Sequence, residues 1–102
     1  MTDRKEIARL VDEELARANE TYPPFHSAHE GYAVICEEVE EMMEEIEKAS
    51  GFIDVMWKRI KVDEENGVLK ASNDAYNIMI YAIAEAIQVC AMLKKMDTIK
   101  GE

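Results

Sequence analysis

The sequence predicts an all-α fold of four helices, and three observations predict it. Apolar residues recur at i, i+3, i+4 spacing along three segments, and a fourth segment is apolar nearly throughout. No stretch alternates apolar with polar over the length of a strand. Glycine and proline number only four and two in 102 residues, while 48% of residues are hydrophobic, a balance suited to helices with short connections. A chain of this length makes one domain. Its core is limited, about 60–65% of the surface that the unfolded chain exposes.

The first helix is expected from Asp3 to Asn19, with Ile7, Leu10, Val11, Leu15 and Ala18 on one face and charges on the other. Thr2 or Asp3 can cap its start. Tyr22-Pro23-Pro24-Phe25 ends it, because proline cannot continue a helix and restricts the residue before it. Ser27-Ala28-His29-Glu30 fits a capping box and opens a second helix. That helix should run to about Ala49, with Gly51 marking its end and Tyr32, Ile35, Val39, Met42, Met43 and Ile46 as its apolar stripe. Phe52 to about Lys61 reads as a shorter third helix, followed by a polar loop, Val62 to Gly67, in which Asn66-Gly67 can turn. Val68 to Ser72 is ambiguous. Ser72 or Asn73 then caps a last helix that reaches about Met96.

Sixteen residues from Ile78 to Leu93 contain only Glu85 and Gln88 as strongly polar positions. A bilayer span needs about 20 apolar residues, and this run is shorter with a charge near its middle. It reads better as a helix buried nearly all round. A chain this small cannot surround a helix alone, so a second subunit is expected to cover part of it, giving a homo-oligomer.

The formal net charge is −10. It argues against duplex nucleic acid and against an anionic membrane surface, since both need clustered Lys and Arg. It suits divalent cations, or simply keeps the chain soluble. Cys36 and Cys90 form no CxxC pair and lie in apolar helical contexts, as expected of two reduced, buried thiols. The opening MTDRKEIARL is charged and has no apolar segment, unlike a signal peptide. A cytoplasmic location is the expectation.

Seven of the eleven residues from Glu37 to Glu47 are glutamates. Like charges at i, i+4 destabilise a helix by about 0.2–0.5 kcal/mol per pair. Most of this run reads as a solvated face. Glu38 and Glu41, however, are spaced i, i+3 and border the stripe at Val39 and Met42, so they should lie at the edge of the core. Carboxylates on adjacent turns can share one hard cation such as Mg²⁺. Glu85 sits in the most apolar part of the chain, where a carboxylate must be protonated, paired or metal-bound. Gln88 follows it by one turn. Pairing of Glu85 with Lys58 or Arg59 and metal ligation are both open from spacing alone.

The other candidates are weaker. His26 and His29 flank a helix start without the i, i+4 spacing of a zinc pair. Trp57 can be core, interface or a stacking surface for a base. Lys58, Arg59 and Lys61 can bind phosphates or offset the acidic helix. No glycine-rich phosphate loop or nucleophile elbow is present.

The segment Phe25-His26-Ser27-Ala28-His29-Glu30-Gly31-Tyr32-Ala33-Val34-Ile35, followed by Glu37-Glu38-Val39-Glu40-Glu41, resembles the MazG-like proteins of phages and prophages. Glu85-Ala86-Ile87-Gln88-Val89-Cys90-Ala91-Met92 resembles their last helix. These proteins belong to the all-α nucleoside triphosphate pyrophosphohydrolase superfamily. The resemblance covers Phe25 to Glu47 and Glu85 to Lys95. It implies a four-helix bundle, dimeric or tetrameric, in which Mg²⁺ or Mn²⁺ is held by an ExxE pair and an ExxD pair. It further implies cleavage of a nucleoside triphosphate between the α and β phosphates. Carried over, Glu38 and Glu41 match ExxE and act in catalysis and metal binding, and Glu85 matches the glutamate of ExxD. Gln88 stands where the aspartate belongs; its amide oxygen can ligate a cation but supplies no charge and no base. The segment around Trp57 looks like an insertion, with Trp57, Lys58 and Arg59 as substrate-binding candidates and Asp54 as a rival for the missing carboxylate. Two other functions fit the same residues: a nucleotide-binding module without turnover, and a purely structural helical oligomer.

Overall fold

Residues 2–99 are described in the computed structural model. The chain is all-helical: α1 (Arg4–Thr21), α2 (Ala28–Lys61), α3 (Glu65–Lys95) and a short 3-10 turn, Met96–Ile99, with no strand among the described residues. Packing divides it into two units: the chain up to Glu40 with the chain from Glu85 on, and Glu41–Ala84. Helices α2 and α3 run through both.

In the first unit, Asp3 caps α1, accepting from the Lys5 amide at 2.9 Å. Its exposed face is laced by Glu6–Arg9–Glu13 and by Glu14–Arg17. Hydrogen bonding to Arg9, and then the Arg9 charge, hold the Glu6 carboxyl below its ordinary pKa. The helix ends at Tyr22, in extended conformation before the two prolines. Ser27 Oγ accepts from the Glu30 amide at 3.1 Å, as a capping box requires, while the Glu30 carboxylate accepts from the His26 amide at 3.4 Å. Val11, Phe25, Val89 and Ala91 are buried. Gly31 is a close-packing point: a Cβ there would collide with Met96 Sδ and the Phe25 ring. Lys94 of α3 pairs with Asp12 of α1.

The second unit is an αα-hairpin, two helical stretches joined by Val62-Asp63-Glu64. Asp63 adopts φ 56°, and the Glu64 and Asp63 amides donate back to the carbonyls of Arg59 and Ile60 at 3.0 and 3.1 Å. That is a Schellman closure with aspartate in the left-handed position that glycine usually takes. The buried side chains of the hairpin are small: Ala49, Ala71, Ala75 and Ala82. Its large apolar side chains face outward, among them Trp57 (58%), Tyr76 (62%) and Tyr81 (65%).

Several expectations are corrected. Gly51 does not end a helix. It lies inside α2 with nothing within 4 Å of a Cβ placed on it, so its cost is the propensity loss of about 1 kcal/mol, too little to break a helix packed on both sides of it. The segments 27–49 and 52–61 are therefore one helix of 34 residues. Asn66-Gly67 is not a turn and neither Ser72 nor Asn73 is a cap, because α3 begins at Glu65. Gly67 has a local reason: a Cβ would meet the Arg59 stem at 3.0 Å. Within one chain, the Ile78–Leu93 run is not buried nearly all round, since Met79, Ile80, Tyr81, Ile83 and Leu93 are exposed. Cys36 and Cys90 are exposed rather than buried. A hydrogen bond with the Cys36 thiol, and then its charge, raise the Tyr32 hydroxyl above its ordinary pKa. By length and composition α3 is apolar enough to cross a membrane, a property that core helices share.

Candidate metal centre

The capping box at Ser27 fixes where α2 starts. The uninterrupted helix from there carries Glu38 and Glu41 to one side, one turn apart. Glu38 is half-buried and Glu41 exposed. In the first unit, α3 brings Glu85, also half-buried, against Glu38. One carboxylate oxygen from each of Glu38, Glu41 and Glu85 lies within 4.8 Å of the other two. The Oε2 atoms of Glu38 and Glu85 are withdrawn from solvent. The rest of the glutamate run behaves as a solvated face: Glu37, Glu40, Glu44 and Glu47 are exposed, and Glu45 pairs with Lys48 at 3.4 Å.

Chemically, three carboxylate oxygens at this spacing match a hard cation. Octahedral Mg²⁺ holds oxygens at about 2.1 Å, which puts neighbouring ligand oxygens about 3 Å apart and opposite ones about 4 Å apart. Glu41 is exposed, while Glu38 and Glu85 are half-buried. Gln88 lies one turn beyond Glu85 on α3 and is half-buried, so its amide oxygen can join the set.

Glu38 and Gln88 also line a cavity of about 640 Å³ within the first unit. Three helical faces shape it: Glu14, Ala18 and Thr21 of α1, Glu30, Val34 and Glu38 of α2, and Gln88, Met92 and Lys95 of α3. Its volume lies in the range of small-molecule sites. Lys95 is only 3% exposed, and its Nζ stands 5.0 Å from the centre of the Phe25 ring, close enough for cation–π attraction. Arg17 stands at the rim, bonded to Glu14 at 2.7 Å. Neither Arg17 nor Lys95 was singled out from the sequence. Both look like ordinary last-turn or surface cations there, and only the convergence of α1 and α3 distinguishes them.

The remaining candidates are not gathered at the cluster. Trp57, Lys58 and Arg59 lie 16 to 18 residues past Glu41 on the same helix, about 24–27 Å along its axis. Trp57 carries Lys61 at 5.8 Å over its ring, and Arg59 pairs with Glu64 at 3.1 Å. Asp54 is exposed and about 20 Å from Glu41 along α2. His26 and His29 are exposed at the start of α2. Comparison of the chain with protein-family models, curated proteins and solved structures finds no match in any of the three.

Proposed function

We propose that this chain is a Mg²⁺-dependent nucleoside triphosphate pyrophosphohydrolase of MazG-like type that works as a homo-oligomer in the cytoplasm. The observation that carries the reading is the convergence of Glu38, Glu41 and Glu85 to within 4.8 Å, beside a cavity large enough for a nucleotide. The sequence resemblance assigns the same three residues to the metal.

Glu38, Glu41 and Glu85 would hold the ion, with Gln88 as a neutral fourth ligand. The bound cation supplies neutralisation of phosphate charge and a lowered pKa for coordinated water. Glu38 and Glu85, half-buried, would fix the position of the ion. Glu41, the exposed member, would orient the attacking water toward the α phosphate. The core would be completed by a second copy laid on the hairpin, whose large apolar side chains stand outward while alanines fill its interior.

The test is to incubate the protein with Mg²⁺ or Mn²⁺ and a panel of nucleoside triphosphates and to follow pyrophosphate. Release from at least one nucleotide, absent in Glu41→Gln, is expected. No release above that blank from any nucleotide contradicts the reading.

Gln88 favours a second reading: a module that binds Mg²⁺ and nucleotide without turnover, since the cluster then holds three carboxylates and no fourth. It predicts metal-dependent nucleotide binding with no pyrophosphate, and hydrolysis on Gln88→Asp. Absence of any metal response leaves a structural helical oligomer.

A further inference from the structure

Within the hairpin unit, each helix carries two series of positions that advance in alternating steps of three and four residues, the spacing of a helix-packing seam. The inner series of α2 is Met42, Glu45, Ala49, Phe52 and Met56, and that of α3 is Ala71, Ala75, Ile78 and Ala82; all are buried or half-buried. The outer series of α2 is Met43, Ile46, Ser50, Ile53, Trp57 and Ile60. That of α3 is Leu69, Ser72, Tyr76, Met79 and Ile83. Every outer position is exposed and none is charged.

In each helix the outer series is the inner one moved on by one residue, about 100° around the axis. The two helices run in opposite directions, so the same step turns both outer series to one side of the hairpin. Near the turn, Ile60 and Glu65, which lies four residues before Leu69 in the outer series of α3, line one shallow cavity together. The large apolar side chains of the two series present roughly 900 Å² of surface. The largest patch on a typical monomer is about 300–600 Å², whereas each partner in a stable interface contributes about 800 Å².

Charge along the edge of this face selects its occupant. The residues of α2 just beyond the outer series are Glu44, Glu47 and Asp54 toward one end and Lys58 and Lys61 toward the other. A second α2 laid parallel would set glutamate against glutamate. Laid antiparallel, it sets glutamate against lysine. Glu44 with Lys61 and Glu47 with Lys58 share one midpoint, between Phe52 and Ile53, and the apolar series from Met43 to Ile60 is centred one residue away. We propose that this face is an isologous interface with a second copy of the chain. The two hairpins pack face to face across a two-fold axis near Phe52, with α2 antiparallel to α2 and the glutamates of each copy beside the lysines of the other. The interface rests on the oligomer reading above, gives it a face and a register, and needs no metal.

Sedimentation equilibrium of the full chain tests it, with circular dichroism to establish that each variant is folded. Ile53→Glu and Met79→Glu, at positions exposed in the single chain, should each weaken self-association by about a hundredfold. Glu47→Lys and Lys58→Glu should each weaken it by about tenfold, and the double variant should recover most of the loss. Glu47→Lys also brings the net charge closer to zero, so weakening there reports the pairing and not overall repulsion. A wild-type monomer at micromolar concentration overturns the proposal and the oligomer reading together. A wild-type oligomer that folded Ile53→Glu and Met79→Glu leave intact overturns the proposal alone. Tighter association of Glu47→Lys, or a double variant no better than the single ones, overturns the antiparallel arrangement.

Discussion

Glu38 of α2 and Glu85 of α3 meet with carboxylate oxygens no more than 4.8 Å apart, and each has its Oε2 withdrawn from solvent. Two carboxyl groups this close cannot both ionise without a cost, about 1 kcal/mol in bulk water and more where water is scarce. Glu41, one turn from Glu38, adds a third. A cation held by all three would favour their ionised forms, and this supports the functional reading.

Mg²⁺ should therefore stabilise the fold. By mass action a ligand at a hundred times its dissociation constant adds about 2.7 kcal/mol, on the order of 10 °C for a domain of this size. A thermal melt with and without Mg²⁺ checks it. Glu85→Gln should lose most of the shift, and an unchanged melting temperature in the wild-type chain speaks for solvated acids with no site.

Gly31→Ala should destabilise the first unit by about 1–3 kcal/mol, the usual cost of overpacking, because the new methyl meets Met96 Sδ and the Phe25 ring. Urea denaturation measures it. Met96→Ala should recover part of the loss in the double variant, since the sulfur is the flexible neighbour; strict additivity would show that the crowding is not there.

Ser27→Ala should cost about 1 kcal/mol, typical of a lost helix cap, because Ser27 Oγ accepts from the Glu30 amide. The same substitution at Ser50, exposed in mid-helix, should leave the urea midpoint almost unmoved. Equal effects at both positions would remove the cap from the account.

The Ser27 cap was legible from the sequence, as were the ends of α1, because capping and proline chemistry act over three or four residues; the crowding at Gly31 was not, since it depends on Met96 and Phe25 being folded against it. The middle of the chain was not legible. Gly51, Ser72 and Asn73 carry the residue types of helix ends, yet hydrogen bonding through long helices outweighs their weak preferences. The i, i+3 pair Glu38/Glu41 and the isolated Glu85 stood out by spacing and by contrast with their surroundings. Lys95 did not, since its burial depends on Phe25 and α2 arriving from elsewhere.

The outward apolar side of the hairpin makes a prediction about assembly. On a monomer, Ile80→Glu and Tyr81→Glu, at positions 49% and 65% exposed, should change stability by no more than about 0.5 kcal/mol. On a homo-oligomer they should dissociate it. Sedimentation of the wild-type chain is expected to give a dimer or tetramer and the variants a smaller species; a wild-type monomer at micromolar concentration contradicts it.

The most direct test of the metal centre is a calorimetric titration of Mn²⁺ or Mg²⁺ into the wild-type chain, Glu38→Gln, Glu85→Gln and Glu44→Gln. Glu44 lies on the exposed side of the same glutamate run. One cation per chain is expected for the wild type and for Glu44→Gln, with binding lost in Glu38→Gln and Glu85→Gln. No binding by the wild type, or equal weakening by all three substitutions, would contradict a site at Glu38, Glu41 and Glu85 and reduce the acidic helix to a charged surface.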